Sequence, residues 1–206
     1  MLAEETSELE SLEIFIFEFV RTNDPQDPHP GGKRIKRKPY IRDFLRIWLS
    51  ERLLAVSKSR QMLVTWLCVG CYCWDTYRHT NRFTVFKSLD RHHAGLEEPN
   101  LLWRAKYIHD HLPECIRPRL RVKRRALMLE YPDTEGTIVG CSMEAADSRS
   151  WTPTGCLDDE LAIQQHGEGG FTAVKAGLGT TGKYTAVSTP MGENFWYRLV
   201  NDKLDE

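Results

Sequence analysis

No apolar run in this 206-residue chain approaches the ~18 residues that suggest a membrane span; the longest, Val64 to Trp74, is interrupted by Thr65 and Gly70. A membrane-crossing helix is therefore excluded. The opening M-L-A-E-E-T-S-E-L-E is acidic where a secretory leader would be basic, which places the protein in a reducing cytoplasm. Six cysteines in a chain this long make no disulfide framework. C-V-G-C at Cys68 to Cys71 has no second C-x-x-C pair to finish a tetrahedral zinc site, so buried thiols are expected there. Repeats and low-complexity segments are missing too. Twenty-eight basic against 29 acidic residues leave a net charge of −1, which argues against a histone-like binder. What the chain does have is a 41% hydrophobic content, enough for a real core in one domain or one domain with a small appendage.

Charge is unevenly spread. Residues 29–125 are basic and both flanks acidic, with peaks at Lys33 to Lys38 (K-R-I-K-R-K) and Arg117 to Arg125 (R-P-R-L-R-V-K-R-R). Such blocks attract polyanions, nucleotide phosphate or a nucleic-acid backbone; a solvated face is the alternative. The alternating Arg117, Arg119, Arg121 and Lys123 also suit a charged edge strand that guards against aggregation.

Periodicity predicts an amphipathic helix over Glu10 to Val20, a Pro/Gly loop over Asn23 to Gly32, and a helix over Tyr40 to Ser50 with Ile41, Phe44, Leu45 and Trp48 on one side. Residues 1–50 thus read as a helical lead-in to a core over 51–206. In that core, strands are expected at Leu53 to Val56, Phe83 to Phe86, Thr154 to Leu157 and Tyr184 to Val187, with a hairpin at Leu127 to Tyr131 and Thr137 to Cys141. Helices are expected at Thr65 to Tyr77, Leu101 to His111, between the last two strands, and at Glu193 to Leu204. This alternation implies an α/β domain with a largely parallel central sheet flanked by helices.

Ligands of such sheets bind at the carboxyl ends of the strands. Three of those ends carry candidate chemistry. After the first core strand comes S-K-S-R-Q-M-L-V-T-W, a basic strand-to-helix turn. Measured against G-x-x-x-x-G-K-T, Thr65 takes the hydroxyl position, Leu63 stands where glycine belongs, Val64 where lysine belongs, and Lys58 comes first, with Arg60 and Gln61 as further donors. C-L-D-D-E-L supplies Asp159 to coordinate magnesium and Glu160 to orient water; Asp158 reads as an out-of-register, solvated extra. S-T-P, Ser188 to Pro190, closes the last strand, where its hydroxyls could sense a γ-phosphate. Order and spacing together match the layout of an additional-strand P-loop NTPase, the ASCE/RecA-like class. His92, His93, His109 and His111 read as surface histidines.

K-S-R-Q-M-x-x-T-W (Lys58 to Trp66), the D-E pair and S-T-P-x-G (Ser188 to Gly192) followed by F-W-Y-R-L make the chain resemble the large terminase subunit of tailed bacteriophages, over roughly residues 13–203. P-Y-I-R-D-F-L and F-K-S-L-D-R-H-H-A add supporting similarity. The resemblance implies an ATPase motor domain that drives viral double-stranded DNA into procapsids, with ATP and Mg2+ as cofactors. Portal protein, a small terminase subunit and a homo-oligomeric ring are the implied partners, in the host cytoplasm. It assigns Lys58, Ser59, Arg60, Gln61 and Thr65 to the triphosphate, Thr65 and Asp159 to the metal, Glu160 to water activation, and Ser188, Thr189 and Pro190 to a coupling motif. Arg149 matches a trans-acting arginine finger. Tyr40 could stack on adenine, although a core aromatic is the plainer expectation. Only sixteen residues follow Pro190, so the family's nuclease half is expected to be missing and no nuclease activity is expected. Leu63, Val64 and that truncation keep a second reading open: a catalytically impaired, terminase-like remnant serving as a DNA-binding or assembly module.

Overall fold

The computed structural model describes residues 2–23, 29, 31–59, 62–89, 93–141 and 151–201. Helix α1 (Leu2–Ile14) runs into a π-helical turn, Phe15–Phe19, so helical backbone begins well before the Glu10 start that the periodicity predicts. A two-residue ladder, β1 (Arg21–Thr22) with β2 (Lys33–Arg34), brackets the Pro/Gly segment, most of which lies outside the described residues. Helix α2 (Pro39–Ser50) starts on Pro39, whose fixed φ suits the first helical position. It buries Ile41, Leu45 and Trp48.

Next come β3 (Leu53–Ser57), α3 (Val64–Arg78), β4 (Phe83–Lys87) and α4 (Leu101–Asp110). Strands β5 (Arg121–Lys123), β6 (Met128–Tyr131), β7 (Gly136–Cys141) and β8 (Gly155–Asp159) follow, then α5 (Gly167–Leu178), β9 (Lys183–Ser188) and α6 (Phe195–Asn201). The sheet order is β3-β9-β8-β4-β7-β6-β5. The first five are parallel, and the β6–β7 hairpin and β5 add an antiparallel flank. Of the two readings of the basic run, β5 fits the edge strand: Lys123 pairs with Glu130, and Arg119 beside it with Asp133.

Period-two alternation along the buried strands assigns their side chains to two cores. Phe86, Leu157 and Val187 meet α1, α2, α3 and α4 on one face, while Val85, Cys156 and Ala186 meet α5 and α6 on the other. Leu12, Phe15, Ile16, Leu45 and Trp48 belong to the first core, so the lead-in packs as part of the same body as the sheet. Helix α3 is buried from Val64 to Trp74, as an all-round apolar helix must be. At Gly70 an added Cβ would meet Ile16 Cδ1 at 2.8 Å, so glycine permits the π-helical turn to approach. Cys68, Cys71 and Cys73 are buried there, and burial pushes the Cys73 thiol up to about 12.

A buried polar clasp aligns the helices with the strand ends. Trp48 Nε1 donates to Thr185 Oγ1 at 3.1 Å, and Tyr72 Oη donates to Cys156 O at 2.7 Å and accepts from the Thr185 hydroxyl at 3.0 Å. Lys183 Nζ donates to the carbonyls of Trp48, Leu49 and Glu51, closing the C-terminus of α2 with a positive charge. Two aromatic or histidine expectations change. Tyr40 is exposed at the start of α2, with Lys38 over its ring, because the apolar face of α2 points the other way. His109 is buried beside Tyr77 and Tyr131, and burial holds its imidazole below the usual range.

Candidate functional site

Strand order creates the site. Because β9 lies between β3 and β8, in register at Ser57 with Ser188 and at Asp159 with Val187, three carboxyl ends share one rim. The Lys58 N–H extends the ladder by donating to Ser188 O at 3.0 Å.

The side chains that leave this rim converge. Lys58 Nζ donates to Glu160 Oε1 at 2.9 Å and Thr65 Oγ1 at 3.2 Å, and lies 3.8 Å from Asp159 Oδ1. Thr65 Oγ1 in turn donates to Asp159 Oδ1 at 3.2 Å. Burial holds the Asp159 carboxyl above its usual range; the nearby Glu160 charge adds to that, while Lys58 and Arg104 oppose it. Oxygen donors on Thr65 and Asp159 are what Mg2+ prefers, and two protein ligands suffice when phosphate and water supply the rest. Among the described residues no three His, Cys, Asp or Glu side chains gather as a metal site.

Leu63, which departs from glycine in sequence, does not depart in conformation. It is the N-cap of α3 with φ 58° and ψ 8°, the left-handed geometry that glycine adopts at no steric cost. Glu160 is left-handed as well, at φ 57° and ψ 41°. Such backbone is retained only when surroundings enforce it. The enforcing contacts are on hand: Glu160 N donates to Val187 O at 2.7 Å, and Ala162 N to Ser188 Oγ at 2.9 Å. Asn194 Nδ2 donates to Ala162 O at 2.6 Å while its Oδ1 accepts from Tyr197 N at the start of α6.

Other expected residues fall variously. Ser188 is buried with its hydroxyl committed to the Glu160 turn, and the Thr189 N–H points at Glu160 Oε2 across 3.5 Å. Ser59 is exposed just past the strand end. Arg60, Gln61, His92 and Arg149 lie outside the described residues.

Asp158 corrects the expectation of a solvated acid. It and Lys87 are fully buried and paired at 3.0 Å; Tyr184 Oη donates to Asp158 Oδ2 at 3.0 Å and Gln164 Nε2 to Oδ1 at 2.6 Å. Desolvation is the largest influence on the Lys87 ammonium and pushes it down, but the charge and hydrogen bond of Asp158 with the nearby Cys156 and Cys141 together outweigh it, and the net direction is up. Gln164 Nε2 also reaches Asp159 O at 3.0 Å, tying this sealed pair to the rim. The motif F-K-S-L-D-R-H-H-A contains Lys87 but gives it no role, and none of the motifs contains Gln164. The position of Lys87 at the end of β4 is the available signal, since it shares the carboxyl edge with the other candidates.

No protein-family model and no curated relative matches the chain. Solved structures do. The large terminase of bacteriophage HK97 is 15% identical with a TM-score of 0.69 over 87% of this chain and 37% of that one. A variant of the large terminase ATPase domain of Thermus phage P74-26 is 17% identical with a TM-score of 0.63, over 82% of this chain and 70% of that one. The large terminase of a thermophilic bacteriophage is 14% identical with a TM-score of 0.59, over 74% and 37%, and has also been solved in complex with ADP. The chain therefore has the fold of phage large-terminase ATPase domains, an α/β fold with a mostly parallel sheet. It spans 37% of the HK97 protein and 37% of the one from the thermophilic phage.

Proposed function

We propose that this chain is the ATP-hydrolysing motor domain of a viral DNA-packaging terminase. The observation that carries the reading is the meeting of Lys58, Thr65, Asp159 and Glu160 within 3.8 Å at one strand rim, although Lys58 and Glu160 stand 102 residues apart in the chain. The Lys58 ammonium would bind the β and γ phosphates. Thr65 and Asp159 would hold Mg2+, which neutralises charge developing on the phosphates. Glu160, released from Lys58 once phosphate competes for that ammonium, would orient and deprotonate the attacking water. Arg60, Gln61 and Arg149 would complete the phosphate contacts and the trans finger. Double-stranded DNA, portal protein, a small subunit and a ring of like chains are the partners this reading implies.

The test uses the purified chain with Mg-ATP. Glu160→Gln should keep nucleotide affinity while hydrolysis falls about 10²–10⁴-fold, the usual worth of a positioned base. Lys58→Ala should lose nucleotide binding. A chain that binds no ATP, or one whose hydrolysis ignores Glu160→Gln, would overturn the proposal and favour a remnant that only binds DNA or assembles.

A further inference from the structure

We propose that Asn194 is a positioning residue for hydrolysis, one that fixes the Glu160 carboxylate through the turn that follows it. This deepens the reading above and rests on it. Glu160 leaves β8 in left-handed backbone and opens a 3-10 turn, Leu161–Ile163, so the direction of its side chain depends on what holds that turn. Among the described residues three hydrogen bonds reach its backbone from β9 and the start of α6. Glu160 N donates to Val187 O, Ala162 N donates to Ser188 Oγ, and Ala162 O accepts from Asn194 Nδ2 at 2.6 Å. Ala162, buried two residues beyond Glu160, is thus gripped at both of its main-chain polar atoms.

Both the oxygen and the nitrogen of the Asn194 amide are in use. Its Oδ1 accepts from Tyr197 N at 3.2 Å, the N-cap bond of α6, and its Nδ2 donates a second time, to Met191 O at 2.8 Å. Gly192, at φ 65°, turns the chain so that Asn194 folds back on Met191, the residue directly after S-T-P. A cap needs only the acceptor, which Ser, Thr or Asp would supply as well; the two donors are what an amide adds. Capping therefore does not account for asparagine. One planar group joins three segments: the Glu160 turn, the loop after Pro190 and α6. That loop begins with the Thr189 N–H, which faces Glu160 Oε2 across 3.5 Å, so the amide fixes the carboxylate and this donor relative to each other. Helix α6 is a firm base for the task, with Trp196 buried in the core shared with α5 and Phe195 packed on Phe171 at 5.7 Å between ring centroids. Asn194 touches no reacting atom. Its contribution is orientation, on which the efficiency of a general base depends.

The experiment measures steady-state Mg-ATP hydrolysis, ATP affinity and thermal melting of the purified chain and of Asn194→Ser and Asn194→Asp, which both keep a cap acceptor and lose the amide donors. In each variant kcat should fall about 10–100-fold, the cost of a misplaced catalytic group, while ATP affinity changes less than about twofold because the binding groups are untouched. Asn201→Ala removes a side-chain bond to Tyr197 O at the far end of α6 and should leave kcat at the native value. In a Glu160→Gln background, Asn194→Ser should cost less than about twofold more, because no base is left to misplace. Native kcat in both Asn194 variants, a loss carried by ATP affinity, a matching loss in Asn201→Ala, or an undiminished loss in the Glu160→Gln background would overturn this proposal and leave the motor reading standing. If Asn194→Asp does not fold, Asn194→Ser decides alone. A native chain that hydrolyses no ATP, or whose hydrolysis ignores Glu160→Gln, would remove the motor reading itself, and this proposal with it.

Discussion

Strand β8 ends in two aspartates, and the two lysine–carboxylate clusters built on them differ in nearly everything but composition. Asp158 faces α5 and α6, where Lys87, Tyr184 and Gln164 use its oxygens and water is shut out. Asp159 points the opposite way, toward α3, where Lys58 is 12% and Glu160 30% exposed, and its partners are held at distances that another ligand could contest. A sealed ion pair with both carboxylate oxygens hydrogen-bonded defines structure; an ion cluster open at one side can exchange partners and do chemistry. Gln164 bridges the two, so the sealed cluster also braces the open one.

The most drastic way to break this contrast is Lys87→Met. It leaves Asp158 buried without its counter-charge and should cost about 3–5 kcal/mol in chemical denaturation. Adding Asp158→Asn should return at least half of that. Lys58→Met should cost less than half as much as Lys87→Met, because its carboxylates reach water; equal costs would erase the distinction between sealed and open clusters.

A finer comparison applies one change to neighbouring residues. Asp158→Asn should destabilise the nucleotide-free chain by stranding Lys87, whereas Asp159→Asn should stabilise it slightly. The sign follows from linkage. Burial raises the Asp159 carboxyl in the folded state, so its contribution is present below the unfolded value of 3.8 and is lost as pH rises through the folded one. Denaturation midpoints measured from mildly acidic to neutral pH should therefore show a shallower decline for Asp159→Asn than for the native chain. Destabilisation by both variants would mean that the open cluster is as structural as the sealed one.

The smallest effect concerns the loop beside the open cluster. Leu63→Gly should change stability by no more than about 1 kcal/mol, in the stabilising direction, as relief of a left-handed non-glycine offsets the extra freedom of the unfolded chain. Leu63→Val, branched at Cβ, should lower the melting temperature.

Much of this site is legible in the sequence because its signals are local. Lys58 and Thr65 stand seven residues apart across a strand-to-helix turn, and Asp159 and Glu160 end an apolar run. Asp158 misleads for an equally definite reason. Three acids in a row look solvated, but strand alternation separates neighbours onto opposite faces, and the partner that neutralises Asp158 is 71 residues away. His109 misleads because the spacing of His109 and His111 shows that they leave the helix in different directions, not that one direction leads into the core.

Element type and the approximate limits of strands and helices were determined by the sequence itself, because periodicity, Pro and Gly act through nearest-neighbour sterics and the burial of one face. Tertiary structure alone decided that β9 should lie between β3 and β8, that Leu63 should take up a glycine's conformation, and that of two adjacent aspartates one should be sealed and the other left open. Those outcomes depend on long-range pairing and on how much water each charge retains, quantities that are defined only once distant segments have packed together.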